Sequence, residues 1–210
     1  MAINPEGAIK ARPVLDAPAH AGEGFSHHAP IWWGNRLVML IEAAGFAILV
    51  LTYFYIWRSS DNWPPTGVLV PDIGIGMLNL AILVVSILPM WHAARLALRN
   101  DRPRVLGYWL FVCVLFGLAA AIVRLMEFKG VHTRWNSNPY GAIVWSILAV
   151  HFAHILAATL ETLTLGILML RGPVEEKHYG DITINAVYWY FVALSWVGLW
   201  TVLYLAPRVI

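Results

Sequence analysis

Five long runs of apolar residues follow one another along the chain, separated by short polar connections. A membrane-spanning helix needs about 20 such residues to cross the hydrocarbon core, and every run reaches that length. None shows the alternation that is typical of a membrane β-barrel strand. The sequence therefore predicts an all-α fold, a polytopic transmembrane bundle of five helices. The predicted spans are Leu37–Trp57, Ile73–Ala94, Val105–Met126, Ala142–Leu170 and Ile184–Ala206.

The segment before the first span differs in composition. Residues 1–29 are rich in Ala, Pro, Gly and His, carry mixed charge and lack the apolar region of a secretory signal. We expect a disordered, mobile cytoplasmic tail, followed by one transmembrane domain over residues 30–210. Metal capture by His20, His27 and His28 is the alternative, but neither a fourth ligand nor a rigid frame is visible in the sequence.

The composition supports a membrane protein and excludes several other classes. Hydrophobic residues make up 60% of the 210 residues and charged residues only 12%, whereas soluble domains have about 25% charged residues. The formal net charge of +2 is too small for a nucleic-acid-binding protein. The single cysteine, Cys113, excludes a disulfide framework and a cysteine-ligated metal site.

The distribution of Lys and Arg predicts the orientation in the membrane. Basic residues concentrate on cytoplasmic connections, and the densest basic cluster, Arg95 to Arg104, joins the second and third spans. Placing that connection in the cytoplasm puts the N-terminus inside and the C-terminus on the periplasmic or external side. The chain is then expected in the cytoplasmic membrane.

Glu42 is an acidic residue within the first apolar run, with no basic residue within one helical turn. A charged group at mid-membrane costs at least ~2.5–3.5 kcal/mol, so this residue requires an explanation. One reading is a neutral, hydrogen-bonded carboxylic acid. The other is an acid that exchanges protons or contacts a partner subunit.

The fourth span contributes His151, His154 and Glu161, whose offsets of three and seven place them along one helical stripe. Hydrogen bonding between helices is the favoured role. A di-iron or heme site with Glu42 or Glu127 is the alternative, but the paired Glu-x-x-His motifs of di-iron bundles are missing. We therefore predict a structural polar network, with no metal site and no catalytic residue in this chain.

Arginines near the helix ends have two candidate roles. Arg124 and Glu127, three residues apart at the end of the third span, are expected to pair and to join the polar network, with a proton route as the less favoured alternative. Contact with lipid phosphates is a further candidate role. Arg171, Arg95 and Arg99 lie beside span ends and are candidate ligands for lipid headgroups.

Several motifs occur together in a characteristic order. Glu42 follows Trp33-Gly34, and the first external loop reads Trp63-Pro64-Pro65-Thr66-Gly67. Further along come Leu78-Asn79, Trp91-His92-Ala93, Glu127-Phe128, Tyr140-Gly141, His151-x-x-His154, Tyr188-Trp189-Tyr190-Phe191-Val192 and Thr201-Val202-x-Tyr204. With these motifs, the chain resembles subunit III of the heme–copper terminal oxidases, in its short five-helix bacterial form, over residues 32–206.

The chain departs from the family pattern at several positions. The last helix usually reads Trp-His-Phe-x-Asp, whereas Tyr190 and Ala193 occupy the His and Asp positions here. Arg124 replaces a glutamine, and Ala153 replaces a glycine between the two histidines. The tail stands in place of two further helices of longer members. These departures leave open a divergent branch or a homologous accessory subunit.

The resemblance implies a non-catalytic membrane subunit of a respiratory oxidase. It implies oxidase subunits I and II as partners, with heme and copper in those partners and none in this chain. It also implies bound membrane phospholipid, support of assembly and proton uptake, and a position for Glu42 beside the lipid cleft. The alternatives are an accessory subunit of a quinol oxidase or nitric oxide reductase and, on the residues alone, a small proton-coupled transporter.

Overall fold

A computed structural model describes residues 30–99 and 102–209. It contains five long helices, each long and apolar enough to cross a membrane, so the predicted five-helix transmembrane fold is confirmed. The expected mobile tail and its histidines lie outside the described residues. The long helices are α1 (Pro30–Arg58), α2 (Ile73–Ala97), α3 (Pro103–Lys129), α4 (Pro139–Arg171) and α5 (Glu176–Trp200); a π-helical turn (Thr201–Leu205) and the short α6 (Ala206–Val209) follow α5.

Four of the helices form a closed ring. In it α2 packs on α3, α3 on α4, α4 on α5, and α5 back on α2, while α1 lies outside the ring against α4 and α5. The buried residues of α1 are Met39, Phe46 and Tyr53. They recur every seven residues, which is the spacing of a single helical stripe, so α1 attaches to the ring along one narrow face.

The two ends of the bundle are named here by the chain direction. The amino end is where α1, α3 and α5 begin and where α2 and α4 end; the carboxyl end is the opposite one. At the carboxyl end the helix starts are capped: the Asp72 side chain accepts a hydrogen bond from the Gly74 N–H at 2.8 Å. Asn138 accepts one from the Gly141 N–H at 2.6 Å. Both satisfy backbone donors that a helix start leaves unpaired.

The fifth helix starts about two turns before the predicted Ile184, at Glu176. Its first turns are polar and therefore lie outside the apolar run. The Glu175 backbone N–H donates to Nδ1 of His178 at 3.0 Å, and the Glu175 carboxylate pairs with Lys177 at 2.6 Å. The hydrogen bond from Lys177 to this carboxylate, together with the positive charge of Lys177, lowers the pKa of Glu175. Local polar contacts thus start this helix about two turns before the point that hydropathy detects.

Glycines allow close approach at two points inside the ring. A Cβ atom on Gly117 of α3 would lie 2.2 Å from Oγ1 of Thr159 on α4, and one on Gly76 of α2 would lie 2.4 Å from Cζ of Tyr204. Real Cβ contacts are never this short, so an alanine at either position would push the two elements apart. The ring therefore depends on small residues where its helices cross.

Candidate functional site

A buried ion pair lies at the centre of the ring, toward the carboxyl end. Nη1 of Arg124 lies 2.7 Å from Oε2 of Glu127, and neither side chain has exposed surface. Both residues are on α3, one helical turn apart. The structure therefore brings the predicted pair together, and neighbouring helices cover both side chains, which leaves no surface for contact with a lipid phosphate.

Glu127 connects three elements. Its Oε2 accepts a hydrogen bond from Nδ2 of Asn79 on α2 at 2.5 Å. Its Oε1 accepts one from the Tyr204 hydroxyl, in the π-helical turn, at 2.7 Å. Both carboxylate oxygens therefore have donors, which is the requirement for a buried carboxylate to be stable.

Arg124 contacts the opposite side of the ring. Its Nη2 lies 3.0 Å from Nδ1 of His151 on α4, and its guanidinium carbon lies 3.5 Å from the ring centroid of Trp196 on α5. Nε2 of His151 lies 3.0 Å from the Val192 carbonyl oxygen. A carbonyl only accepts, so Nε2 carries a proton, and Nδ1 accepts from the arginine. His151 is therefore a neutral imidazole with both nitrogens engaged.

We call these residues the core cluster: Asn79, Arg124, Glu127, His151, Trp196 and Tyr204. They come from α2, α3, α4, α5 and the π-helical turn. The cluster contains one positive and one negative charge, so it adds no net charge to the membrane interior. Its chemistry is that of a structural network that fixes the register of the ring.

A second group, the midplane cluster, joins α1 to the ring. The Tyr188 hydroxyl on α5 donates to Oε1 of Glu42 at 3.2 Å. Nε2 of His154 on α4 lies 3.7 Å from the same oxygen. These three residues lie about 18–22 Å along the helix axis from where their helices begin, near the middle of the bundle. About a fifth of the Glu42 and His154 side-chain surface remains exposed.

The protonation of His154 follows from its partners. Its Nδ1 lies 2.6 Å from the Val150 carbonyl oxygen, so Nδ1 carries a hydrogen and donates. The remaining nitrogen, Nε2, faces Glu42, and it is the position where this histidine can gain or lose a proton. This arrangement can hold a proton between an imidazole and a carboxylate.

The two histidines of the fourth span therefore have separate environments. His151 belongs to the core cluster, whereas His154 belongs to the midplane cluster, and Phe46 of α1 packs against both, with ring centroids 6.0 Å and 4.9 Å away. An offset of three residues turns a helix by about 300°, so the two side chains diverge by about 60°. Of the residues predicted to form one polar network, Arg124, Glu127 and His151 lie in the core cluster and His154 lies in the midplane cluster.

Glu161 joins neither cluster. It is exposed and makes no hydrogen bond or ion pair with the residues that the structure describes, although Asp181 and Tyr188 are within electrostatic range. It lies about 15 Å along the axis from the end of α4 at Arg171. Glu161 therefore lies on the exposed surface of α4, toward the amino end of the bundle.

Comparison with known proteins identifies the family. The family model for cytochrome c oxidase subunit III matches residues 21–207. The chain belongs to the cytochrome c oxidase subunit III family.

Curated relatives support this assignment over most of their lengths. Cytochrome c oxidase subunit 3 of Thermostichus vulcanus is 25% identical, covering 97% of this chain and 99% of the relative. The Bacillus subtilis subunit 3 is 24% identical, covering 80% and 82%. A probable subunit 3 of Rickettsia bellii is 24% identical, covering 86% and 72%. The family resemblance read from the sequence motifs is confirmed.

Several subunit III motifs have clear positions in the structure. Trp63 of the Trp-Pro-Pro-Thr-Gly loop donates from Nε1 to the Tyr53 hydroxyl at 2.9 Å and packs on Tyr140 with ring centroids 4.8 Å apart. Gly67 ends this loop at φ +87°, a conformation that favours glycine. The loop therefore closes the carboxyl end over α1 and α4.

The two departures in the last helix also have clear positions. Ala193, in place of the usual Asp, is buried and lines a small apolar cavity of about 10 Å³ with Gly117 and Trp189. Tyr190, in place of the usual His, is half-buried in a groove of about 430 Å³ between α1 and α5. Neither position belongs to the core or the midplane cluster, so neither cluster depends on the missing residues.

The basic residues selected as lipid ligands all lie at the amino end. Arg95, Arg99 and Arg171 are exposed. The Arg95 guanidinium lies 3.7 Å from the ring centroid of Trp91, a cation–π contact that holds it beside an interfacial tryptophan. Within the described residues, no group of three or more His, Cys, Asp or Glu side chains is arranged to hold a metal ion.

Sequence reasoning missed the hydrogen-bonding partners on other helices. Asn79, Tyr188, Trp196 and Tyr204 complete the two clusters, but the sequence assigned them no role. A usable signal existed for Asn79, a polar residue inside the apolar run of α2. Tyr188, Trp196 and Tyr204 gave no such signal, because tyrosine and tryptophan are common in membrane proteins at the membrane–water interfaces.

Proposed function

We propose that this chain is the non-catalytic membrane subunit of a respiratory heme–copper oxidase. The observation that carries the proposal is the match to subunit III over residues 21–207, with relatives of similar length named as cytochrome c oxidase subunit 3. Subunit III assembles with other oxidase subunits. Oxidase subunits I and II are accordingly the partners that we assign to this chain.

The chemistry of the histidines supports placing heme and copper in those partners. A heme–copper centre needs histidines with free ring nitrogens on facing helices. Both nitrogens of His151 are engaged, by Arg124 and by the Val192 carbonyl. His154 has one nitrogen left, and it faces Glu42, while His92 packs beside Trp109. The span histidines that the structure describes therefore do not fit such a centre.

Phospholipid binding is the second part of the proposal. Arg95, Arg99 and Arg171 surround the amino end and suit the phosphates of lipid headgroups. An apolar groove runs between α1 and α5. It joins the cavity beside Arg36 and Leu40 to a second cavity, of about 350 Å³, beside Phe46 and Val202. A groove of this kind suits acyl chains.

Proton handling at Glu42 is the third part. The midplane cluster combines a carboxylate, an imidazole and a hydroxyl near the middle of the membrane. Such groups are costly there and are used for proton exchange or for contact with polar partner groups. We assign Glu42 to proton delivery toward the catalytic subunit or to an acid contact with it, in support of sustained turnover.

The test is purification of the complex from native membranes through a tag on this chain. We expect subunits I and II to co-purify and the complex to show a heme spectrum with oxygen-reducing activity. The electron donor that supports turnover, cytochrome c or a quinol, separates the two oxidase alternatives, and nitric oxide reduction would point to the accessory-subunit alternative. Isolation of the chain alone would contradict the proposal.

We propose the cytoplasmic membrane with the amino end of the bundle in the cytoplasm, since nine of the fourteen basic residues belong to that side. Reporter fusions after Arg99 and Lys177 are expected to report the cytoplasm. Fusions after Asp61, Arg134 and Pro207 are expected to report the opposite side. An inverted pattern would contradict this orientation.

A further inference from the structure

Each of the two partners of Glu42 has an acidic residue on its own helix, seven residues nearer the amino end. Glu161 comes seven residues after His154 on α4, which runs toward that end. Asp181 comes seven residues before Tyr188 on α5, and α5 runs from the amino end toward the carboxyl end of the bundle. Seven residues are close to two full turns, or about 10.5 Å. Both acids therefore lie on the faces that their helices turn toward Glu42.

The acids form successive steps from the amino end to the midplane cluster. Asp181 is in the second turn of α5 and half-buried, and Glu161 is exposed on α4. Asp181 is within electrostatic range of Glu161, and Glu161 within that of the Tyr188 hydroxyl. Tyr188 in turn donates to Glu42 at 3.2 Å. The acids lie along the side of the bundle where α1, α4 and α5 meet.

The position of Glu161 is costly unless it has a use. A charged carboxylate exposed about 15 Å inside the end of a membrane helix is unfavourable. The structure gives Glu161 no hydrogen bond or ion pair among the described residues that would offset this cost. Acidic residues at such depth usually face a polar pathway or a water-filled cavity.

We propose that Asp181 and Glu161 form a proton-input route from the amino end of the bundle to the Glu42–His154 pair. The inference rests on the proposed proton exchange at Glu42 and names the groups that supply it. A proton passes from bulk water to the Asp181 carboxylate, then to the Glu161 carboxylate and on to Glu42. His154 accepts it at Nε2, because Nδ1 already donates to the Val150 carbonyl.

Water must complete the route. The two turns between Glu161 and the level of Glu42, about 10 Å, exceed the reach of one hydrogen bond. The exposed surfaces of Glu161, Glu42 and His154 leave room for water beside these side chains. The route carries one proton at a time, and each carboxylate returns to its charged form after transfer.

The other titratable groups around the route are engaged elsewhere. His151 lies beyond Phe46 and holds Arg124 and the Val192 carbonyl, so the route ends at His154. At the start of α5, Lys177 pairs with Glu175 at 2.6 Å, and its charge also lies within electrostatic range of Asp181. On α1, Arg36 lines the groove toward α5 beside Val187 and lies over Trp32. These contacts leave Asp181 as the first acceptor on this face.

The test follows the Glu42 carboxyl directly, by time-resolved infrared spectroscopy of the purified complex in lipid nanodiscs after a pH jump. The Glu42 signal is the carboxyl band that Glu42→Gln removes. We expect Glu161→Gln and Asp181→Asn each to slow its response about tenfold or more, a smaller effect than the roughly hundredfold or more of a positioned acid–base group, because water can partly take over the transfer. Glu176→Gln, an exposed acid at the start of α5, is the matched control and should leave the rate unchanged.

Glu161→Asp keeps an acid at the same position and should recover most of the rate, which separates proton transfer from a folding defect. An unchanged response in Glu161→Gln and Asp181→Asn, or equal slowing in Glu176→Gln, would overturn the route. Failure of the proposed function is distinguishable. In that case Glu42→Gln would leave turnover of the complex unaltered, whatever the infrared response of the other variants.

Discussion

Arg124 and Glu127 meet at 2.7 Å inside the bundle, and neither side chain has any exposed surface. A buried pair of this kind contributes little net stability compared with apolar residues, but its two members depend on each other. Glu127 keeps donors from Asn79 and Tyr204 without the arginine. Arg124 has no other acid within hydrogen-bond distance among the described residues. The two halves of the pair should therefore respond differently to substitution.

We expect Glu127→Gln to lower the free energy of unfolding by about 3–5 kcal/mol, because it leaves an arginine that cannot lose its proton buried without a counter-charge. Arg124→Gln should cost less, since an acid can become neutral and keep its hydrogen bonds. The double variant should cost less than the sum. Reversible unfolding in mixed detergent micelles measures all three, and the double-mutant cycle isolates the coupling.

Arg99→Gln is the matched control, because Arg99 is exposed and lies at the end of the bundle; it should change stability by less than about 0.5 kcal/mol. Equal costs for Glu127→Gln and Arg124→Gln, together with strict additivity, would show that the two residues do not act as a pair.

The crossing of α3 and α4 gives a second prediction. Gly117→Ala should destabilise the bundle by about 1–3 kcal/mol, because the new Cβ would lie 2.2 Å from Oγ1 of Thr159. Adding Thr159→Ala removes that atom and should recover most of the loss. Thermal unfolding of the purified chain in detergent is the measurement.

Gly45→Ala on α1 provides the comparison for this substitution. No atom lies within 4 Å of a Cβ built at Gly45, and alanine is favoured over glycine in a helix by about 1 kcal/mol. Gly45→Ala should therefore be neutral or stabilising. If Gly117→Ala and Gly45→Ala changed the stability equally, the change would come from the helix preference of alanine and not from the contact between α3 and α4.

The sequence predicts the spans of this fold well, since hydropathy reports the length of apolar helix that a membrane requires. It does not predict how the helices pack. The stripe of Met39, Phe46 and Tyr53 that attaches α1 is visible only in the structure, because almost every residue of α1 is apolar. The early start of α5 at Glu176 depends on polar contacts of Glu175, which a hydropathy pattern does not report.

The candidate sites were predictable in part for a related reason. A charged residue inside an apolar run is conspicuous, so Glu42, Arg124, Glu127 and Glu161 were all found. Pairing within one helix follows from spacing, as for Arg124 and Glu127. Pairing between helices depends on how each helix is rotated about its own axis, which the sequence does not specify. His151 therefore contacts Arg124 and His154 contacts Glu42, although the two histidines are only three residues apart.

Lipid binding at the amino end gives a third prediction. Replacing Arg95, Arg99 and Arg171 together with glutamine should reduce the anionic phospholipid that co-purifies with the complex. A basic residue near the membrane surface contributes about 1 kcal/mol, or about fivefold in affinity. Native mass spectrometry counts the bound lipids. The control replaces Arg58 and Arg134, exposed near the carboxyl end, and equal lipid loss in the two variants would show that general charge and not these sites holds the lipid.

The last prediction concerns Glu42 in the assembled oxidase. Glu42→Gln keeps an oxygen that accepts from the Tyr188 hydroxyl, which now donates at 3.2 Å, and removes a costly acid from the membrane interior. The variant should therefore fold and assemble normally. It cannot carry a proton, so we expect slower turnover or earlier inactivation, most clearly at alkaline pH, where protons are scarce.

The measurement of this last effect is the rate and lifetime of oxygen consumption over a series from about pH 6 to 9, the range in which a proton donor becomes limiting. His154→Gln should reproduce the alkaline loss, because it removes the imidazole 3.7 Å from the same carboxyl oxygen. Glu176→Gln changes an acid outside the midplane cluster and should leave the profile unaltered. Equal rates and lifetimes for wild type and Glu42→Gln at every pH would reduce Glu42 to a packing residue that anchors α1 to α5.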